Sequence, residues 1–214
     1  MLLHALDAHP FHSLDTLAEK DKAIEAMSLL KRLAEPMPGE ILDWNPIIIA
    51  ELMTRHDQFI YCPFAYSYSN YCRPSFVDKP LKYGNLVQLN GKALRSILGG
   101  TGISISSGCK EIELALDFSL YCASADVQAN IYTYAGGQPA RKEAWLSKQL
   151  IPFSGGFFSD SYLSHENALV RPRYNGYVSL QEKAGVPLQQ FILGETSHNK
   201  MWDSITQYYR ESRG

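Results

Sequence analysis

The sequence is short of several things, and each shortage removes a class of function. Its 22 acidic and 20 basic residues leave a net charge of -2, with no basic patch or stripe, so nothing electrostatic recommends a nucleic-acid partner. The densest basic clusters, Lys31-Arg32 and Arg141-Lys142, are accounted for by solvated helix faces. Apolar runs such as Pro46–Ala50 fall far short of the ~20 residues a membrane span requires. The opening MLLHALDAHPFHSL has no basic leader followed by an apolar core, so no signal peptide is read there.

The four cysteines, at 62, 72, 109 and 122, show no CxxC spacing, and no zinc site is expected. Cys109 and Cys122 fall on or beside one expected helix, ~20 Å apart at its rise, too far to bridge. Cys62 and Cys72 flank a loop and could pair; buried free thiols are the other reading. Hydrolase signatures are missing too. There is no GxSxG elbow and no HExxH, four of the six His lie within the first 60 residues, and Glu111, Glu113 and Asp117 share one helix instead of forming an opposed carboxylate pair. No metal, cofactor or catalytic residue is implied.

Tyrosine, by contrast, is abundant. Ten of the thirteen Tyr occur in bunches: Tyr61, Tyr66, Tyr68 and Tyr71; Tyr132 and Tyr134; Tyr174 and Tyr177; Tyr208 and Tyr209. A tyrosine offers a flat apolar face and a polar tip, which serves either half-buried packing or the lining of a site for a polar organic ligand.

The pattern along the chain is mostly helical. Asp21–Ala34 carries Ile24, Met27, Leu30 and Leu33 on one face. Asn45-Pro46 supplies an N-cap and a first-turn proline for a second helix. Residues 58–62 and 103–106 read as short strands, and Asn90-Gly91 as the turn of a hairpin. Glu111–Ala123 reads as a helix with an apolar stripe of Ile112, Leu114, Ala115, Phe118 and Tyr121, followed by a shorter one over 126–134. Pro139 is expected to open a helix through Trp145, and Ser159 to cap one running to Leu169. Tyr174–Leu193 reads as helix interrupted at Pro187, and Thr196 or Ser197 caps a last helix with Met201, Trp202, Ile205, Tyr208 and Tyr209 on one face. Glycines gather at Gly99-Gly100-Thr101-Gly102, at Gly136-Gly137 and at Gly155-Gly156, the last read as plain loop.

Four segments in order, CPFAYSYSNYCRP (62–74), LGGTGISIS (98–106), YTYAGGQPARKEAW (132–145) and RPRYNGYVSLQ (171–181), resemble the C-terminal half of the family-1 extracellular solute-binding proteins, the sugar receptors of ABC importers in the maltose-binding-protein superfamily. The resemblance implies an α/β, type II periplasmic-binding-protein-like second lobe, helix-rich around a small sheet, with an incomplete first lobe. It implies second-lobe material over 1–98, a hinge crossing and first-lobe helices over 99–150, and a second-lobe return over 151–214. A whole receptor is about twice as long, so the chain reads as a half or fragment.

The function this resemblance implies is non-covalent capture of a sugar-like solute, with an ABC permease as partner and a periplasmic or extracellular setting; the missing leader leaves a truncated cytoplasmic product as the alternative. Sugars present C–H faces to aromatic rings and hydroxyl edges to Asn, Arg and backbone groups. The ligand-facing candidates are accordingly Tyr66, Tyr68, Asn70, Tyr71, Gly100, Thr101, Arg173, Tyr174 and Tyr177. Tyr174 and Tyr177 serve equally well as packing beneath the adjacent helix. Two further functions stay open, a hydrolase-type enzyme and a non-binding remnant acting as an interaction domain. Without a first lobe the stripe on 111–123 would be uncovered, and a homodimer covering it is expected.

Overall fold

A computed structural model describes residues 1–214. In chain order the elements are α1 (Leu2–Ala5), α2 (Lys20–Ala34), α3 (Pro46–Arg55), β1 (Gln88–Leu89), β2 (Lys92–Ala93), α4 (Ile112–Cys122), α5 (Ala125–Val127), α6 (Lys142–Trp145), α7 (Ile151–Ser154), α8 (Phe157–Glu166), α9 (Tyr177–Ile192) and α10 (His198–Arg213). The chain divides into two compact units, one of Met1–Asp43, Val87–Ile97 and Ala168–Gly214, the other of Trp44–Leu86 and Leu98–Asn167.

The first unit is built on its last helix. Ser197 caps α10, its hydroxyl accepting from the Lys200 N–H at 3.4 Å. Met201, Trp202, Ile205 and Tyr209 recur at helical spacing and are all buried, against Leu180 and Phe191 of α9 and Ala23 of α2. Each such large side chain contributes roughly 1.5–3 kcal/mol by leaving water. On α2 the innermost residues are Ala23 and Ala26, while Leu33 is exposed; the small residues let the helices approach closely. The Tyr209 hydroxyl donates to the Ser13 carbonyl at 2.5 Å and ties the N-terminal loop to this core. Helix α9 continues through Pro187, which is buried, so the expected interruption does not occur. It also begins later, at Tyr177, after Gly176 in a left-handed conformation.

The hairpin forms at its Asn-Gly turn. Asn90 (φ 52°) and Gly91 (φ 75°) both adopt positive φ, and β1 pairs antiparallel with β2 in the register Gln88–Ala93, Leu89–Lys92. A parallel bridge between Ile97 and Leu169 is the other sheet-like pairing. The expected strands over 58–62 and 103–106 are absent. The mostly apolar run of 58–62 and the alternation of 103–106 suit strands, but a strand exists only where another backbone pairs with it; Ile60 and Ile103 are instead highly exposed.

In the second unit Trp145, Phe157 and Phe158 pack edge to face around Cys72, Ala144 and Leu150. The Trp145 indole donates to the Pro139 carbonyl at 2.7 Å. Residues 139–141 stay outside the helix, Arg141 being extended, and α6 begins only at Lys142 instead of at Pro139. Helix α8 starts at Phe157 behind Gly156, ahead of the expected cap; Ser159 lies inside it and donates to the Gly156 carbonyl at 3.0 Å. All four cysteines are free thiols, and burial pushes the Cys72 thiol up to about 12. No helix is long and apolar enough to cross a membrane.

Candidate functional site

The tyrosine loop of the second unit is organised by a short 3-10 turn over Ser69–Cys72. The Tyr71 N–H donates to the Tyr68 carbonyl at 3.2 Å, and the Arg73 N–H to the Asn70 carbonyl at 3.0 Å. Tyr71 turns inward, buried, with its ring edge-on to Phe76 at 5.5 Å; burial raises its phenol above the ordinary value. Tyr66 and Tyr68 turn outward, 40% and 42% exposed. The loop therefore splits its tyrosines by role, one filling the core and two presenting rings to solvent.

Three glycine-rich segments pack on this loop. Gly99 lies against Tyr66, close enough that a Cβ there would meet the ring at 3.5 Å. Gly136, at φ +105°, faces both Arg73 and the Asn70 side chain, while a Cβ on Gly137 would overlap the Tyr132 ring. Gln138 accepts from the Ser69 N–H at 3.2 Å. Gly155, at φ +59°, sits where a Cβ would come within 2.6 Å of the Cys72 carbonyl, so the Gly155-Gly156 pair is a packed junction and not plain loop. Segments 62–74 and 132–145, which stood apart in the sequence, meet here through Ser69, Arg73, Gly136, Gly137 and Gln138.

Arg73 is the residue that sequence reasoning missed. It is 4% exposed; its Nη2 donates to the Ser69 hydroxyl at 3.3 Å and to the Gly137 carbonyl at 3.4 Å, and its guanidinium lies 4.4 Å from the centre of the Phe153 ring. Burial lowers its pKa. Within the same cluster Asn70 Oδ1 and Arg73 Nε are buried and lack hydrogen-bond partners. One signal could have found Arg73: it is the first charged residue after Asp57, ending an uncharged aromatic stretch. A second polar bracket holds the neighbouring turn, where Gln128 donates to the Cys122 carbonyl and accepts from the Ala140 N–H, both at 2.8 Å.

Gly100 and Thr101 are exposed, and a Cβ on Gly100 would meet nothing within 4 Å. Six of the nine candidates, Tyr66, Tyr68, Asn70, Tyr71, Gly100 and Thr101, thus belong to the second unit. Arg173, Tyr174 and Tyr177 belong to the first. There Tyr174 and Tyr177 pack edge to face at 5.9 Å, and the Tyr174 hydroxyl meets the Ser212 hydroxyl at 3.0 Å. Arg213 covers the Tyr174 ring at 3.9 Å, and Tyr177 meets Phe11 at 5.8 Å. Both rings are half-buried and engaged by helix α10 and the N-terminal loop, while Arg173 is exposed. The second unit therefore offers open aromatic faces beside neutral hydrogen-bonding groups.

No family model matches this sequence, and no curated protein matches it. Two solved structures share its fold over essentially its whole length. The ABC-transporter solute-binding protein of Thermotoga lettingae, bound with alpha-D-tagatose, is 20% identical with a TM-score of 0.78, covering 100% of this chain and 55% of that one. The maltose-bound MalE3 of T. maritima is 17% identical with a TM-score of 0.76, covering 98% of this chain and 55% of that one. The chain has the helix-rich, type II periplasmic-binding-protein fold and spans about half the length of the structures it matches, consistent with a C-terminal half.

Proposed function

We propose that this chain is the C-terminal, ligand-gripping half of an ABC-importer solute-binding protein, and that it holds a sugar-like solute without covalent chemistry. The observation that carries the proposal lies in the second unit, where a loop presenting Tyr66 and Tyr68 rests against Gly99, next to the exposed Gly100 and Thr101. The two neighbours, one holding tagatose and the other maltose, use the same fold for saccharides. Tyr66 and Tyr68 supply stacking faces for sugar C–H groups; Asn70, Gly100 and Thr101 supply polar edges. Arg173, Tyr174 and Tyr177 are proposed as contacts of the first unit by itself, where packing engages the two rings.

The same reading makes an ABC permease the partner and the space outside the cytoplasmic membrane the place of work. It assigns 1–98 and 151–214 to the second lobe and 99–150 to the crossing toward a first lobe; the exposed apolar helix α4 supports that last assignment. A second copy of the chain is the proposed cover for α4 where no first lobe is supplied.

Thermal unfolding against a panel of mono- and disaccharides tests the proposal. A ligand that binds only the folded state raises the midpoint, by about 2.7 kcal/mol of stabilisation at one hundred times Kd. Tyr66→Ala and Tyr68→Ala should each abolish the shift while leaving the ligand-free midpoint within about 0.5 kcal/mol, as expected of exposed side chains. A flat response of the wild-type chain across the panel defeats the proposal.

A further inference from the structure

We infer that Arg73 is the positioning residue of the tyrosine loop, fixing Tyr66 and Tyr68 through the turn that carries them and not by touching solute. The inference rests on the proposed solute-binding role for what the loop is positioned to do, and on geometry alone for the positioning. Arg73 is among the most buried polar residues of the second unit, and its partners are a hydroxyl, a backbone carbonyl and an aromatic ring. A buried guanidinium is expensive to desolvate and is retained where several elements need one rigid multidentate donor.

The elements here are three. Ser69 belongs to the 3-10 turn, Gly137 to the turn before α6, and Phe153 to α7. One nitrogen, Nη2, serves both Ser69 and Gly137, so the loop and the glycine turn are registered at a single atom. The backbone of Arg73 works in the same sense. Its N–H closes the turn on the Asn70 carbonyl, and its carbonyl accepts from Phe76 at 2.9 Å and Val77 at 3.2 Å. Gly136 completes the fit, its missing Cβ leaving the gap that Arg73 Nη1 and Asn70 Oδ1 both face. Five residues upstream of this anchor the chain presents Tyr68, and seven upstream Tyr66, with Ser69 held again by Gln138.

Hydrogen exchange of the full chain, read by peptide, separates positioning from bulk stability. Arg73→Met should speed exchange of the 69–73 amides by about tenfold or more, the scale set by losing charge-assisted hydrogen bonds in a local opening equilibrium. Exchange over 201–209 in the first unit should stay unchanged. Arg73→Lys keeps a donor but not the stacked plane, and should restore part of the protection. For whichever saccharide raises the wild-type midpoint, Kd should weaken about tenfold in Arg73→Met and less in Arg73→Lys, with the order following the exchange rates. Unchanged protection over 69–73, or protection lost equally in both units, overturns the inference. If Arg73→Met does not fold, Ser69→Ala removes one partner and no charge; it should still loosen 69–73 locally, and no local change there also overturns it. A wild-type chain that binds no saccharide defeats the proposed function instead, and leaves Arg73 to be decided by exchange.

Discussion

Single residues in this chain carry more specific demands than its composition suggests, and His165 is one of them. Its ring lies 4.2 Å from that of Trp145 and 6.2 Å from that of Phe157, with Nδ1 3.1 Å from the Ser161 carbonyl. Burial lowers its pKa, and the bond to Ser161 only partly opposes that. The unfolded chain takes up the proton near the ordinary histidine value of about 6.5, the folded chain only at lower pH. Between those values the unfolded state binds more protons, so stability falls as pH falls through that window and levels off below the folded pKa. Replacing His165 with Gln removes this proton. The mutant's urea midpoint should decline less than the wild type's between pH 7 and pH 5, most of the difference lying below about 6.5. Parallel curves would show that His165 does not titrate against folding. Arg73 and Gly155 are residues of the same kind, meaningful only through partners far along the chain, and so invisible to spacing rules.

Elements whose signals are local were the legible ones. Asn45 caps α3 as its Asn-Pro pair implies, its Oδ1 accepting from the N–H groups of Ile47 and Ile48, both at 2.9 Å. Ser197 caps α10 in the same way, and Asn90-Gly91 makes the hairpin. Asn45→Ala should cost about 1 kcal/mol, since two helix-end donors lose their acceptor at an exposed site. Urea unfolding checks it, and Asn45→Asp should retain most of the stability; a loss equal to that of Ala would show that the side chain does not act as a cap. What the sequence concealed was non-local. Residues 58–62 are mostly apolar and 103–106 alternate as strands do, yet pairing is decided by another backbone, and none is supplied. The candidate site was half legible for the same reason. The uncharged tyrosine loop is one continuous stretch and was visible, whereas its join to Gly136–Gln138 bridges more than sixty residues. Tyr174 and Tyr177 turned out to be largely occupied by α10 and the N-terminal loop, contacts that no local pattern announces.

At the scale of the whole molecule the unexplained feature is α4. It buries no residue, and only Ala115, Ser119 and Cys122 are half-buried, three small side chains that fall together on one side at ~100° per residue. Ile112, Leu116 and Leu120 lie along one flank, Leu114, Phe118 and Tyr121 along the other, each about half exposed or more, with Leu114 at 68% and Phe118 at 62%. Glu113 and Asp117 form the narrow polar strip between the flanks. These six side chains expose on the order of 700 Å² of apolar surface, split about equally between the flanks, so each flank of roughly 350 Å² is of the size that on monomers often marks an interaction site. A two-fold pairing of α4 with its copy, antiparallel, covers one flank directly. It also sets Lys110, just before the helix, over the carbonyl end of the partner helix, where a cation is favoured. Light scattering at micromolar concentration should therefore give twice the 24.1 kDa chain mass. Leu114→Glu with Phe118→Glu should return the single-chain mass without lowering the unfolding midpoint beyond the loss of the interface itself, because neither side chain is buried in its own unit. A wild-type chain that stays at 24.1 kDa throughout that range defeats the pairing and leaves α4 as a surface that copies of this chain do not cover.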